Sequence, residues 1–341
     1  MPVRVGINGF GRIGRNFLRA VLKSGADVQV VGVNDLVPPA TNAHLLKYDS
    51  TYGPLAEDVE LTGEGIAVGR QALRVFAERD PKALPWSDLG VDVVIESTGV
   101  FTDGHEARAH IEAGAPRVII SAPATNVDGT FVVGVNDDSF DPATHTVVSN
   151  ASCTTNCFVP MVKVLDDAFG VRSGLMTTVH AYTNDQNLLD LAHKDLRRAR
   201  AAAVNIVPAS TGAARATGLV LQSMQGRLDG TALRVPVQDG SLTDFTAIIE
   251  AEAGVEEINT AYREAASSGP LSGVLVYTED PIVSSDVIGS PASCIFDSGL
   301  TMTTSPGDGT TLVKALGWYD NEWGYSNRLV DLALVVGGSG R

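Results

Sequence analysis

The chain is expected to fold as an α/β protein. A mostly parallel sheet should occupy the first half and further strands and helices the second, and three observations point there. Over the first 150 residues, short apolar strands alternate with helical patterns. A glycine-punctuated turn joins the first strand to the first helix. Beyond residue 150 a strand over Leu175–Thr183 alternates across two faces. With 341 residues, 44% of them hydrophobic, the chain can bury a substantial core and divides most naturally into two domains.

The first strand is Val3–Ile7, followed by Asn8-Gly9-Phe-Gly11-Arg-Ile-Gly14-Arg15. Gly9, Gly11 and Gly14 fit Gly-x-Gly-x-x-Gly, and Ile13, Phe17, Leu18, Val21 and Leu22 continue at helical spacing. Glycine triplets also serve ordinary turns; one that leaves a strand and opens a helix is the context a dinucleotide needs. The second strand, Val28–Val33, ends in Asn34-Asp35, with Asp35 about 20 residues past Gly14, where a ribose-binding acid is expected. Its charge would repel the additional phosphate of NADP, so the expected cofactor is NAD. Further strands at 91–95, 118–120 and 147–148 complete a Rossmann-type nucleotide-binding domain with a mostly parallel sheet.

Next comes Ser149-Asn-Ala-Ser-Cys153-Thr-Thr-Asn-Cys157, which sets Cys153 where an apolar strand hands over to a helix. Amides in a first helical turn lack intrahelical acceptors and favour an anion, so a thiol there should ionise more readily. Cys153 reads as a nucleophile with a lowered pKa. Cys157, one turn further, and Cys294 read as small buried residues, and the Cys-x-x-x-Cys spacing is not that of a redox pair. A helix is expected over Asn156–Phe169, ended by Gly170. On the strand that follows, one face carries Thr178, His180 and Tyr182. A lone strand histidine is usually structural; His180 is a candidate base because the nucleophile needs one.

Charge bounds the partners. A formal net charge of −15 argues against nucleic acid or an anionic membrane. No apolar run reaches a membrane span, and the chain opens as a strand with no room for a leader, so a cytoplasmic location is expected. An anionic substrate must meet a local basic patch. The densest basic run is Lys194-Asp-Leu-Arg197-Arg198-Ala-Arg200, which reads equally as a solvated helix face. Ser210-Thr211-Gly212 and Arg234 add hydroxyls, flexible backbone and a planar donor fork. No metal site is expected.

Five segments together resemble glyceraldehyde-3-phosphate dehydrogenase along essentially the whole chain: Gly6–Arg15, the cysteine motif, His180-Ala-Tyr-Thr183, Ser210-Thr-Gly-Ala-Ala214 and Trp318-Tyr-Asp-Asn-Glu-Trp-Gly-Tyr325. The resemblance implies an NAD-binding domain over 1–150, an α+β catalytic domain over 151–317, and a C-terminal helix over 318–341 returning to the first domain. It implies that Cys153 attacks the aldehyde, that His180 takes the thiol proton, and that a thioester is cleaved by inorganic phosphate. Glyceraldehyde 3-phosphate would sit at Thr183 and Arg234 with Arg198 nearby, and inorganic phosphate at Ser152, Thr154, Thr211 and Gly212. Cofactor contacts would be Gly9, Gly11, Arg12, Ile13, Gly14, Asp35, Arg79, Thr98, Ser121, Asn321 and Tyr325, with Asn321 on the nicotinamide amide. The family is usually homotetrameric, with the segment 182–203 at a subunit interface.

Two departures from the resembling pattern stand out. Ala192 replaces a proline that helps crowd out a 2′-phosphate, leaving Asp35 and Leu191 to exclude NADP. Val237-Gln-Asp239-Gly240-Ser241 replaces Thr-Pro-Asn-Val-Ser beside the expected site. Asp239 could pair with Arg234 only through a bend, since five extended residues span ~16 Å, and Gly240 could supply one. These changes read as drift, or as an isoform tolerating an electrophile aimed at Cys153. Competing functions are erythrose-4-phosphate dehydrogenation and a non-catalytic interaction protein on the same scaffold.

Overall fold

The computed structural model of the chain describes residues 1–338. Two compact units emerge. The first comprises Met1–Val133, Asp137–Ser152 and the described chain from Ser326 onward; the second comprises Gly134–Asn136 and Cys153–Tyr325.

In the first unit the strands are β1 (Val3–Asn8), β2 (Val28–Asn34), β3 (Val59–Leu61), β4 (Gly65–Val68), β5 (Gln71–Phe76), β6 (Val93–Glu96), β7 (Val118–Ile120), β8 (Gly129–Thr130) and β9 (Val147–Ser149). They form one sheet in the order β3-β4-β5-β2-β1-β6-β7-β9-β8. Every pairing from β5 to β8 is parallel, and the hairpins β3–β4 and β4–β5 are antiparallel. The central strands are largely buried and mostly apolar, as a sheet covered on both faces requires. Helices α1 (Arg12–Ser24), α2 (Pro39–Lys47), α3 (Gly104–Ala107) and α4 (Ala109–Glu112) complete this part of the chain. The strand order reverses at β1, which lies between β2 and β6, and this is the place where such sheets open a ligand crevice.

The second unit opens with α5 (Cys153–Phe169) and continues through β10 (Val171–Ala181), β11 (Val207–Ser210), α6 (Ala213–Val220), β12 (Leu228–Val235), β13 (Ser241–Ile249), α7 (Val255–Ser267), β14 (Leu275–Thr278), β15 (Cys294–Asp297), β16 (Met302–Thr304) and β17 (Thr311–Tyr319). Its mixed sheet runs β11-β12-β10-β13-β17-β15-β14, with β16 added to β17. β13 alternates strictly between buried and half-buried residues, so one face is core. Phe158 of α5 meets Phe245 of β13 edge-on at 4.8 Å, and Tyr262 of α7 stacks on Phe296 of β15 at 3.7 Å.

Two boundaries differ from expectation. The last helix, α8 (Trp323–Gly338), starts later than residue 318, because Trp318 and Tyr319 complete β17 opposite Leu242 and Ser241. Near its end, Gly337 lies against Val3 and Val93 of the first sheet, where a Cβ would fall 2.4 Å from Val3. α5 starts at Cys153, three residues before the expected Asn156. Hydroxyl residues compete for backbone groups and so read as loop. Here the Thr154 hydroxyl instead bonds Tyr319 at 2.8 Å.

Candidate active site

A sharp turn delivers Cys153. Ala151, buried and not glycine, takes a left-handed conformation with φ 55°, and the helix begins two residues later. Such backbone is costly for a residue with a Cβ and persists where its surroundings hold it. Cys153 is thus the first residue of α5, and no acidic residue occupies that first turn.

His180 approaches from β10. Its Nε2 lies 3.5 Å from Cys153 Sγ. The preceding inward residue, Thr178, shares a hydrogen bond with Tyr319 Oη at 2.8 Å, and Tyr319 also bonds Thr154. A buried hydroxyl chain therefore ties the cysteine helix to the histidine strand. Tyr319 also sets its ring edge-on to His180 at 6.0 Å. Behind the histidine, parallel pairing of β10 with β12 puts Arg234 directly opposite it. The Arg234 guanidinium contacts His180 Nδ1 and donates to the Ala181 carbonyl at 3.2 Å.

The electrostatics overturn one expectation. Cys153 was expected to have a lowered pKa, yet the thiol is pushed up to about 11. Desolvation dominates, although the residue's surface is only partly covered, and it outweighs the pull of Arg234 and the Thr154 hydrogen bonds. Burial and then Arg234 hold His180 down to about 3. At neutral pH the pair therefore rests as thiol and uncharged imidazole.

The expected substrate-phosphate residues are brought together and tied by a carboxylate that sequence reading missed. Asp185 accepts from the Thr183 hydroxyl and pairs with Arg198, which also reaches Asp195 at 3.4 Å. Burial raises the Asp185 pKa, but Thr183, Arg234 and Arg198 outweigh it and hold it low. Lys194–Arg200 forms turns and no helix. Gly212 caps α6, the Thr211 hydroxyl accepts the Ala213 N–H at 3.2 Å, and nothing lies within 4 Å of a Cβ built on Gly212. That open helix N-terminus suits an oxyanion. Ser152 is partly exposed, whereas Thr154 is buried and turned toward Tyr319.

The departing segment has a defined shape. Gly240 bends left-handed at φ 83°, and a Cβ there would meet the Ser284 carbonyl at 2.2 Å. Asp239 is buried and accepts the Gly240 N–H at 2.8 Å, while Arg234 turns to His180. Ser241, also missed, joins the Ala181 N–H to Asn321 Oδ1. The alternation of β13 marks it as inward, but only the fold shows what it meets. Tyr325 is buried.

In the first unit a cleft of about 390 Å³ is lined by Gly9, Gly11, Asp35, Arg79 and Thr98, among others. Gly9 is left-handed at φ 92° and packs against the turn after β6, where a Cβ would be 2.6 Å from the Thr98 nitrogen. A Cβ on Gly14 would strike the Gly9 carbonyl at 2.3 Å, whereas Gly11 faces open space. No side chain caps α1 at Gly11, and its first turn has no acid. Asp35 is oriented by the N–H groups of Phe10 and Val37 at 2.7 and 2.9 Å. Arg12 pairs with Asp49 at 2.5 Å, Ile13 is half-buried beside it, and Arg79 is exposed. Ser121 donates its N–H to the Glu96 carbonyl at 2.9 Å. Glycines, an uncapped helix start and an oriented carboxylate fit a dinucleotide. Among the described residues no group of three or more His, Cys, Asp or Glu could hold a metal ion.

Comparison with known proteins gives the same picture from outside. Residues 3–104 match the model for the NAD binding domain of glyceraldehyde 3-phosphate dehydrogenase, and residues 152–321 match the model for its C-terminal domain. Glyceraldehyde-3-phosphate dehydrogenase of Streptomyces coelicolor is 60% identical over 337 residues, covering 99% of each chain. Glyceraldehyde-3-phosphate dehydrogenase 1 of Streptomyces avermitilis is 61% identical over 99% of this chain and of its own. The Mycobacterium avium enzyme of the same name is 59% identical, covering 99% of this chain and 100% of its own. With that identity running end to end over both units, the chain belongs to the glyceraldehyde-3-phosphate dehydrogenase family.

Proposed function

We propose that the chain catalyses phosphorylating oxidation of D-glyceraldehyde 3-phosphate to 1,3-bisphosphoglycerate with reduction of NAD. The observation that carries this reading is the uncharged Cys153–His180 pair at 3.5 Å with Arg234 behind it. NAD, when bound, supplies the hydride acceptor.

Sγ of Cys153 attacks the aldehyde carbon while His180 Nε2 takes the thiol proton and returns it to the carbonyl oxygen, giving a hemithioacetal. His180 next removes that hydroxyl proton as a hydride leaves the same carbon, and a thioester remains on Cys153. An oxygen of inorganic phosphate attacks the thioester carbon, the C–S bond breaks, and sulfur recovers its proton from the imidazolium. Thr183 and Arg234, with Arg198 held by Asp185, are proposed to hold the substrate phosphate. Ser152, Thr211 and Gly212 are proposed for the attacking phosphate; Thr154 is proposed to contribute through its backbone. Gly9, Gly11, Arg12, Ile13, Gly14, Asp35, Arg79, Thr98 and Ser121 are proposed to hold NAD, with Asn321 and Tyr325 at its nicotinamide end. Asp35 and Leu191 favour NAD over NADP.

We also propose a cytoplasmic homotetramer. Leu188, Leu189, Leu191, Leu196, Val204 and Ile206 are all exposed within one loop region, which supports an interface there. No helix among the described residues is long and apolar enough to cross a membrane.

The test is NADH formation from glyceraldehyde 3-phosphate and NAD with and without inorganic phosphate. Phosphate-dependent turnover is expected. Equal turnover without phosphate would mean that water cleaves the thioester, and silence in both would sink the reading.

A further inference from the structure

One buried hydroxyl joins the strand of the base to the residue proposed for the nicotinamide. Ser241 opens β13 and has no exposed surface. Its Oγ accepts the N–H of Ala181, the neighbour of His180, at 3.1 Å. The same oxygen lies 2.7 Å from Oδ1 of Asn321. A serine hydroxyl carries one proton, and a carboxamide oxygen can only accept. The proton therefore goes to Asn321. Its carboxamide is held with Oδ1 turned toward the sheet. Nδ2 makes no hydrogen bond among the described residues. Turning the amide over would let Nδ2 donate to the second lone pair of the Ser241 oxygen but leave the serine proton buried without an acceptor, which costs the desolvation of that O–H.

We infer that Ser241 is a specificity-determining positioning residue: by fixing the Asn321 amide, it makes this point of the site a donor that reads the carbonyl oxygen of the cofactor's carboxamide and ignores its amino group. The inference rests on the NAD-dependent function proposed above and on Asn321 as the nicotinamide contact. A pyridinium ring bearing any 3-carbonyl acceptor then satisfies the contact. The 3-acetylpyridine analogue of NAD keeps that oxygen and replaces the amino group by methyl.

The experiment compares kcat/KM for NAD with that for 3-acetylpyridine adenine dinucleotide in the wild type and three variants. Taking the ratio between variants cancels the analogue's own redox difference. In Ser241→Ala the amide is released and can turn to accept from an amino group that only NAD has. The NAD-to-analogue ratio should rise about fivefold, the worth of one modest hydrogen bond. Ser241→Thr, which keeps the hydroxyl, should hold the wild-type ratio. Asn321→Asp accepts from Ser241 in either orientation and presents only an acceptor to the cofactor, so the analogue should lose about tenfold or more and NAD, whose amino group can donate, should lose less. An unchanged ratio in a folded, active Ser241→Ala protein overturns the inference. If that variant does not fold, Asn321→Asp decides, and a loss confined to NAD overturns it. Wild-type protein lacking phosphate-dependent turnover would instead sink the functional reading, a distinguishable failure.

Discussion

His180 and Arg234 face each other across parallel strands β10 and β12, and the guanidinium of Arg234 contacts His180 Nδ1. Arginine can only donate, so in this contact Nδ1 accepts and the imidazole proton sits on Nε2. Nδ1 also lies 2.7 Å from the Ala181 carbonyl, a contact that needs the opposite tautomer and leaves Nε2 free to take the thiol proton. An anion that draws Arg234 off the ring therefore favours the tautomer that acts as a base. Under the function proposed above, substrate phosphate at Arg234 would be linked to proton transfer through one guanidinium.

Thiol reactivity in the cofactor-free protein follows from the same contact. With Cys153 pushed up to about 11, alkylation by iodoacetamide should rise only in alkaline solution. Arg234 is the cation that pulls the value down, so Arg234→Leu should move the midpoint higher still. A wild-type rate that is already flat by about pH 8, near a free thiol's pKa, would show that the helix terminus outweighs burial after all.

Stability should carry the signature of the buried imidazole. His180 titrates at about 3 in the folded chain and ~6.5 when unfolded. Between those values the unfolded chain binds a proton that the native chain does not, so stability rises with pH. The contribution is complete above the unfolded pKa and is lost as pH falls toward the folded one. From pH 7 to 5 the wild type should lose on the order of 2 kcal/mol more than His180→Gln in urea unfolding. Parallel pH slopes for the two proteins would contradict this.

Two glycines of one motif should respond in opposite ways. Gly9→Ala forces a Cβ onto the turn after β6 at positive φ and should destabilise by about 2 kcal/mol or more. Gly11→Ala meets nothing within 4 Å, so stability should stay within about 0.5 kcal/mol while NAD affinity falls, because the methyl enters the open cradle. Thermal unfolding with NAD titration separates the two. Tight NAD binding by Gly11→Ala would remove Gly11 from the site.

Local signals explain what was legible. The glycine spacing, Asp35 at a strand end and Cys153 at a strand-to-helix junction are one-dimensional patterns, and each corresponds to the element that produces it. The opposition of His180 and Arg234 was not legible, because it depends on lateral strand order between segments 54 residues apart. Asp185, Ser241 and Tyr319 lay inside or beside recognised motifs, yet their roles appear only when a partner strand supplies the other atom. The thiol pKa departs from the sequence expectation for a related reason. Sequence displays the helix terminus but not the desolvation that opposes it.

Glu96 offers the sharpest case of a support that sequence does not display. Its Oε2 accepts Asn8 Nδ2 at 2.6 Å and His110 Nε2 at 3.0 Å. Its Oε1 accepts the N–H and hydroxyl of Thr98 at 2.9 and 2.5 Å. None of these donors can reverse cheaply. Trp86 Nε1, a donor only, lies 3.0 Å from His110 Nδ1, which fixes the histidine proton on Nε2. Asn8 Oδ1 already accepts from Asn34, whose amide clasps both backbone groups of Glu78 beside Arg79. One carboxyl group thus braces three segments lining the cleft of the first unit: the glycine loop, Thr98 and residues 78–79. Glu96→Gln puts an N–H where two donors need an acceptor. It should cost about 2–4 kcal/mol in urea unfolding and weaken NAD binding in the protein that remains folded. A stability loss under about 0.5 kcal/mol would mean that the donors find other acceptors and that the cleft does not depend on this residue.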